Sequence, residues 1–162
     1  NLLIDIIGGY KTMELSYQNK LNKAQQLYIE AQQLENDAEA EKLEEIQNSK
    51  DISKWLGYNF QSSSGLTEEY SLFSKHIKAE LKKINGYDLI SYNRGHFYFS
   101  AFLKNNQNSK LVYISSDDVR GSDGWFNNLL IRTAKHDKDF TGGSNNFCQF
   151  NKIKEQADYL LR

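Results

Sequence analysis

Proline is missing from this chain of 162 residues, and cysteine and methionine occur once each, as Cys148 and Met13. A single cysteine excludes an intramolecular disulfide and any zinc site built from several thiolates, and it is typical of a reducing cytosol. No apolar run approaches the roughly 18–20 residues that cross a bilayer. The apolar opening, residues 1–9, carries Asp5 and lacks the basic start of a signal peptide. These absences predict a cytoplasmic protein that does not span a membrane.

The composition that is present suits a packed domain. Hydrophobic residues make up 39% of the chain, aromatic residues 13% and charged residues 25%, which excludes a disordered polymer. Average usage would give about eight prolines; their absence, together with 16 Asn and 16 Lys, indicates an AT-rich genome such as that of a low-GC bacterium or its phage. The net charge is −1, with residues 1–60 acidic and residues 61–162 mildly basic, so the chain as a whole lacks the strongly basic footprint of a DNA-binding domain.

The first third of the chain has the pattern of one long helix. From about residue 10 to residue 47, heptad a and d positions can be assigned, namely Tyr10, Met13, Tyr17, Lys20, Ala24, Leu27, Ala31, Leu34, Ala38 and Glu41. Two interpretations remain open: a solvated helix that packs along its own domain and covers the sheet, or a coiled-coil arm that forms a homodimer. We therefore divide the chain into a helical arm, residues 1–50, and an α+β domain, residues 51–162.

The remainder predicts an α+β fold in which helices cover one face of an antiparallel meander. A second helix begins after Thr67, carries Lys82 and Lys83 in its last turn and ends at Asn85-Gly86. Three or four antiparallel strands follow, at 87–92, 96–103, 110–116 and, less regularly, 128–134. Polar loops occupy 117–127 and 135–146, and a C-terminal helix covers about 151–161.

An aromatic sheet face is one candidate for function. Alternation along the second strand places Phe97, Phe99, Ala101 and Leu103 on one face and His96, Tyr98, Ser100 and Phe102 on the other. Tyr98, with Tyr92 or Tyr113 nearby, would then offer stacking surfaces for a single-stranded nucleic acid. The alternative is that the long helix covers this face and the tyrosines lie at the edge of the core.

The basic loops are a second candidate. Arginine is rare here, and three of the four arginines lie in or near polar loops with two histidines and a lysine; these basic residues are Arg94, His96, Arg120, Arg132, Lys135 and His136. Such a set suits an anion, or it forms ion pairs with the acidic residues of the same loops, Asp117, Asp118, Asp123, Asp137 and Asp139. His96, His136, Asp118 and Arg120 could also serve a phosphodiesterase or a metal nuclease. No known catalytic motif is present, so we predict no enzyme, no cofactor and no metal site.

Five segments of the α+β part form a distinctive set, namely Arg94-Gly95-His96-Phe97-Tyr98, Asp117-Asp118-Val119-Arg120, Trp125-Phe126-Asn127, Ile131-Arg132-Thr133-Ala134 and residues 139–145, DFTGGSN. Through these segments, residues 65–161 resemble small proteins of unassigned function that phages and other mobile elements of bacteria carry. This resemblance implies a cargo gene, and such genes often encode inhibitors of host defence, including anti-CRISPR proteins.

These observations together predict a non-enzymatic binding protein that inhibits a host nucleic-acid enzyme such as a CRISPR nuclease. The sequence offers two alternative contact surfaces. One is formed by the loops with Arg94, His96, Arg120, Trp125, Arg132, Lys135 and His136, and the other by the acidic helix with Glu41, Glu44 and Glu45. The expected partner is a protein or its complex with nucleic acid, not a membrane. The alternative function is a nucleic-acid-binding module that uses the tyrosines and the basic loops.

Overall fold

The computed structural model describes residues 2–49, 51–62, 65–66, 68–95, 98–119 and 124–162, with side chains from residue 13 onward except in segments 61–62 and 65–66. It divides into two compact units, residues 1–45 and 46–162, a division five residues earlier than the one drawn from the sequence. The elements are a long helix, a second helix, a five-stranded antiparallel sheet and a C-terminal helix. The predicted α+β class is therefore confirmed.

The first unit lies within one helix, α1 (Leu2–Asn48). Its sequence is dominated by Ala, Leu, Gln, Glu and Lys, the residues with the strongest intrinsic helix propensity. Side-chain bonds between successive turns add to this, as Gln26 donates to Glu30 at 2.9 Å and Gln33 donates to Asp37 at 2.8 Å. The helix begins at Leu2, eight residues before the predicted start at Tyr10.

The second unit is built on a five-stranded sheet in which chain neighbours are also sheet neighbours. A short hairpin, β1 (Gln61–Ser62) with β2 (Gly65–Leu66), and the helix α2 (Glu68–Leu81) precede it. The strands are β3 (Tyr87–Asn93), β4 (Ser100–Asn105), β5 (Leu111–Ser116), β6 (Leu129–Ala134) and β7 (Asn146–Cys148). A 3-10 turn, Phe150–Lys152, leads into α3 (Ile153–Leu160). Each strand pairs antiparallel with the next one along the chain, as in a meander.

The inner face of the sheet carries the core of the second unit. Its side chains on the central strands are buried, namely Ala101, Leu103, Val112, Ile114, Leu129 and Ile131. A group of fully or nearly fully buried aromatic rings packs beside them, with Phe73 of α2 at its centre. Phe73 contacts the rings of Trp55, Phe60, Tyr70, Phe99 and Trp125. Since Trp55 and Phe60 precede α2, the connector after α1 is part of this core.

A β-bulge in β3 changes which face its last residues occupy. Leu89 pairs with Leu103 and Ser91 pairs with Phe102, so Ile90 is the extra residue. Because side chains alternate along a strand, one extra residue moves all that follow to the opposite face. Tyr92 therefore lies on the inner face, where its hydroxyl bonds to Ser74 of α2.

Several predicted boundaries were wrong. The second predicted strand, 96–103, begins at Ser100 as β4, with Tyr98 and Phe99 outside it and His96 and Phe97 outside the described residues. The second helix ends at Leu81, so Lys82 and Lys83 follow it. The short strands β1, β2 and β7 were not predicted, since two or three residues carry no readable alternation. The predicted cap Thr67 lies outside the described residues.

The turn before β3 depends on a glycine. Gly86 has φ +84° with open space around the position of an absent Cβ, and its carbonyl accepts the amide of Asn106 at 3.0 Å. We expect Gly86→Ala to lower the free energy of unfolding by about 1–2 kcal/mol through backbone strain alone. Gly86→Asn should cost less, because Asn adopts this region more readily. Urea unfolding of both variants checks this, and equal losses would contradict it.

No helix in the described part of the chain has both the length and the apolar character that a membrane span requires.

Candidate functional site

The acidic surface of α1 has a defined extent. Within Glu35–Glu45 there are six carboxylates and one cation, Lys42, and every residue of this segment but Leu43 is exposed. The carboxylates are Glu35, Asp37, Glu39, Glu41, Glu44 and Glu45, and they span about 15 Å at 1.5 Å per residue. We refer to Glu35–Glu45 as the acidic segment. Glu41, Glu44 and Glu45, the predicted contact residues, all belong to it.

Arg94 follows β3 and stacks on a tyrosine. Its guanidinium carbon lies 5.0 Å from the ring centre of Tyr70, and the Tyr70 hydroxyl donates to the backbone oxygens of Gly95 and Tyr98 at 3.1 and 3.0 Å. Burial raises the pKa of Tyr70 to about 12, with a smaller contribution from the charge of Asp118 and an opposing one from Arg94. Arg94 thus packs over a hydrogen-bonded corner that joins α2 to the end of β3.

Arg132 forms part of a second stack, on the outer face of the sheet. We name this the outer-face cluster: Phe102, Tyr113, Arg132 and Phe140. The guanidinium carbon of Arg132 lies 4.8 Å from the ring centre of Tyr113, and its Nη1 donates to Asn145 Oδ1 at 3.3 Å. The Nε atom of Arg132 is buried without a hydrogen-bond partner. The cluster therefore places a cation on the buried ring of Tyr113, which packs beside the buried ring of Phe102, whereas Phe140 is about half exposed.

The loop over this cluster is held by a carboxylate. Asp139 accepts the amides of Lys135 at 2.9 Å and Gly142 at 2.7 Å, and these bonds hold the pKa of Asp139 below its usual range. Phe140, the next residue, packs on the rings of Phe102 and Tyr113 at 5.4 and 5.8 Å. Asp139, one of the loop carboxylates expected to pair with arginine, thus binds backbone amides.

The predicted basic surface is not assembled in one place. Arg94 lies beyond the end of β3, and the register of β3 to β6 puts Lys135 and His136, just after β6, at the opposite end of the strands. Trp125 is 3% exposed and packs on Phe73 at 5.0 Å, so its ring belongs to the core. His96 and Arg120 lie outside the described residues.

The three tyrosines proposed for stacking do not share a face. Tyr92 is on the inner face because of the bulge, and Tyr113 is on the outer face within its cluster, 7% exposed. Only Tyr98 among them is exposed, at 42%, and it lies before β4 rather than in it. The predicted exposed aromatic face is thus wrong for these residues.

The described residues show the surroundings of some groups that bear on catalysis or metal binding. These residues contain no group of three or more His, Cys, Asp and Glu side chains that could hold a metal ion. Burial raises the pKa of the Cys148 thiol to about 11, so the thiol is protonated at neutral pH. His136 accepts the amide of Lys138 through Nδ1 at 3.3 Å, within its own loop.

One polar arrangement was not predicted from the sequence. Trp55 Nε1 donates to His76 Nδ1 at 3.0 Å, and His76 Nε2 lies 3.9 Å from Glu80 Oε1. Burial lowers the pKa of His76; the charges of Glu80 and Asp51 oppose this shift, and the charge of Lys83 adds to it. The four-residue spacing of His76 and Glu80 was a readable signal on a helix, whereas the contact with Trp55 spans 21 residues and was not.

Glu80 also lines an open groove of about 520 Å³ between the end of α2 and the start of the C-terminal helix. Amide side chains form much of its wall, namely Asn85, Asn127, Gln149 and Asn151. Its two lysines are already paired, Lys83 with Glu80 and Lys154 with Asp158. The groove therefore offers hydrogen-bonding amides rather than a net charge.

Comparison of the chain with protein-family models, with curated proteins and with solved structures finds no match.

Proposed function

We propose that this chain is a binding protein that inhibits a nucleic-acid enzyme of a bacterial host, and that the acidic segment of α1 is its contact surface. The observation that carries the proposal is the exposure of six carboxylates along one helical stretch. We place the protein in the reducing cytosol, where such an enzyme works and where a single cysteine stays reduced.

Electrostatics supports a basic groove as the binding site on the partner. Double-stranded DNA carries one charge per about 1.7 Å, or roughly nine charges over 15 Å. The acidic segment carries six carboxylates and one lysine, a net charge of −5, over about the same length. A channel lined with Lys and Arg that holds a nucleic-acid backbone would therefore accept the segment, and complementary charge would speed the encounter.

The geometry of the second unit favours the helix over the loops as the contact surface. Arg94 and Arg132 are each stacked on a tyrosine, and Arg94 is at the other end of the strands from Lys135 and His136. The resemblance of residues 65–161 to proteins of phages and mobile elements supports the choice of a host enzyme, such as a CRISPR nuclease, as the target.

The test is inhibition of purified RNA-guided DNA nucleases, measured as the cleavage rate of a labelled target at increasing concentrations of this protein. The wild-type protein is expected to slow cleavage of the target by at least one nuclease. The variant Glu41→Lys/Glu44→Lys/Glu45→Lys should raise the inhibitory concentration at least about tenfold, because three attractive contacts become repulsive.

Glu14→Lys is the matched control, since Glu14 is an exposed glutamate of the same helix outside the acidic segment. It should inhibit like the wild type. Inhibition that is unchanged in the triple variant would remove the acidic segment as the contact surface, and the absence of inhibition across a panel of nucleases would reject the proposed target class.

A further inference from the structure

The helix α1 carries an apolar stripe as well as an acidic segment. Eight large apolar side chains between residues 13 and 45 are 41–69% exposed. Six of them fall at heptad positions a, d or e, on one side of the helix: Met13, Tyr17, Leu21, Leu27, Tyr28 and Leu34. We name these six the seam. The other two, Leu15 and Ile29, lie on the opposite side.

Such a stripe favours a helical occupant. Exposed apolar residues scattered singly are ordinary, but a row that recurs at helical spacing marks an interaction surface. Two seams of this kind bury each other when their helices pair. The small residues Ala24, Ala31 and Ala38 at the a positions allow a second helix to approach closely.

The charges along α1 favour a second copy in the antiparallel orientation. Residues 11–29 carry three lysines and one glutamate, whereas residues 30–45 carry seven carboxylates and one lysine. A parallel pair would place the two acidic halves side by side and repel. An antiparallel pair would place the acidic half of each copy against the basic half of the other.

We propose that two copies of this chain pair antiparallel along α1, with the two-fold axis between Gln25 and Gln26. In this register each a position faces a d position of the second copy. Ala38 faces Met13, Ala31 faces Lys20, Ala24 faces Leu27 and Tyr17 faces Leu34, so an alanine meets a longer side chain in three of the four layers within residues 13–38. At the flanks, Lys23 faces Glu30 and Leu21 faces Tyr28, each twice by symmetry.

The contact area sets the expected strength of this dimer. The overlap of residues 13–38 is about 38 Å long and about 10 Å wide, which gives roughly 800 Å² counted over both copies. Stable complexes bury about 1,200–2,000 Å². We therefore expect a reversible dimer with a dissociation constant in the micromolar range, seen as a rise in mass between about 1 and 300 µM.

The first test is sedimentation equilibrium of the full chain over that range. Leu27→Gln/Leu34→Gln should raise the dissociation constant at least about tenfold, because it removes four apolar side chains from the interface. Leu15→Gln/Ile29→Gln is the matched control: it makes the same kind of change outside the seam and should leave the constant unchanged. Gln keeps the helix propensity high, and circular dichroism verifies this. A monomer at every concentration, or equal effects of both variants, would overturn the proposal.

A charge exchange tests the flanking pairs. Lys23→Glu alone places a carboxylate opposite Glu30 of the second copy and should weaken the dimer. The double variant Lys23→Glu/Glu30→Lys restores opposite charges and should recover the wild-type constant. If the double variant dimerises no more tightly than Lys23→Glu alone, this register is rejected.

Cross-linking tests the orientation directly. In a Cys148→Ser background, Met13→Cys and Ala38→Cys chains should stay uncross-linked alone under mild oxidation and form a heterodimeric disulfide when mixed. A parallel dimer would cross-link each chain with itself, and that result would overturn the proposal. This outcome is independent of the proposed inhibitory function, because it requires no partner enzyme.

Discussion

Replacing Phe73 with alanine is expected to lower the free energy of unfolding of the second unit by about 3–5 kcal/mol. The side chain is fully buried on α2 and contacts five aromatic rings that come from the connector, α2 itself, the segment before β4 and the loop before β6. Its removal would therefore leave a cavity between segments that cannot all close in on it. This is a large part of the stability of a small domain, because the free energy of unfolding of such domains is only about 5–15 kcal/mol.

Guanidinium-induced unfolding, followed by the fluorescence of Trp55 and Trp125, measures this loss, because both indoles pack on Phe73. Phe147→Ala is the matched control: the same change is made in β7 at a ring that is 57% exposed, and it should cost less than about 1 kcal/mol. The loss for Phe73→Leu should lie between the losses for Phe73→Ala and Phe147→Ala. A loss below about 1.5 kcal/mol for Phe73→Ala would show that the aromatic core closes around the gap.

The class of fold followed from the sequence because its main signals are local. The apolar stripe Tyr70, Phe73, Ile77 and Leu81 predicts α2, and all four side chains are buried. In β5, Val112 and Ile114 lie two positions apart, which likewise predicts a strand with an apolar face, and both side chains are buried. The bulge at Ile90 has no such signal, since a single extra residue leaves the composition of β3 unchanged. That one residue decided on which face of the sheet Tyr92 lies.

The candidate site was less predictable because it depends on contacts between distant segments. The sequence places Trp125 among the contact residues of the polar loop 117–127, yet its ring packs beside Phe73, 52 positions away. Arg94 and His136 were grouped by residue type, although the order of the strands separates them. The acidic segment, by contrast, lies within one helix, where the position of each side chain follows from the sequence alone.

The contact between Trp55 and His76 leads to a pH-dependent stability. Burial lowers the pKa of His76 in the folded protein relative to the unfolded chain, where it is about 6.5. Below about pH 6.5 the unfolded chain therefore binds more protons than the folded protein does. The stabilising contribution of neutral His76 is complete above about pH 6.5, and it is lost as the pH falls through the lower pKa that His76 has in the folded state. Protonation of Nδ1 would also remove the acceptor of Trp55 Nε1. We expect the free energy of unfolding to decrease steadily from pH 7 to pH 5.

Two substitutions separate the hydrogen bond from the titration. Neither His76→Gln nor His76→Phe titrates, so both should remove the part of the pH dependence between 5 and 7 that is due to His76. The amide oxygen of Gln can still accept from Trp55 Nε1, whereas Phe leaves this buried donor unpaired, at a cost of about 1–3 kcal/mol. His76→Phe should therefore be the less stable of the two at pH 8. Chemical unfolding at several pH values measures both effects, and a slope in either variant equal to that of the wild type would assign the pH dependence to other groups. The aspartates whose pKa values are lowered, Asp51, Asp139 and Asp158, lose their contributions only at more acidic pH. A loss of stability between pH 7 and pH 5 that both variants abolish would therefore originate at His76.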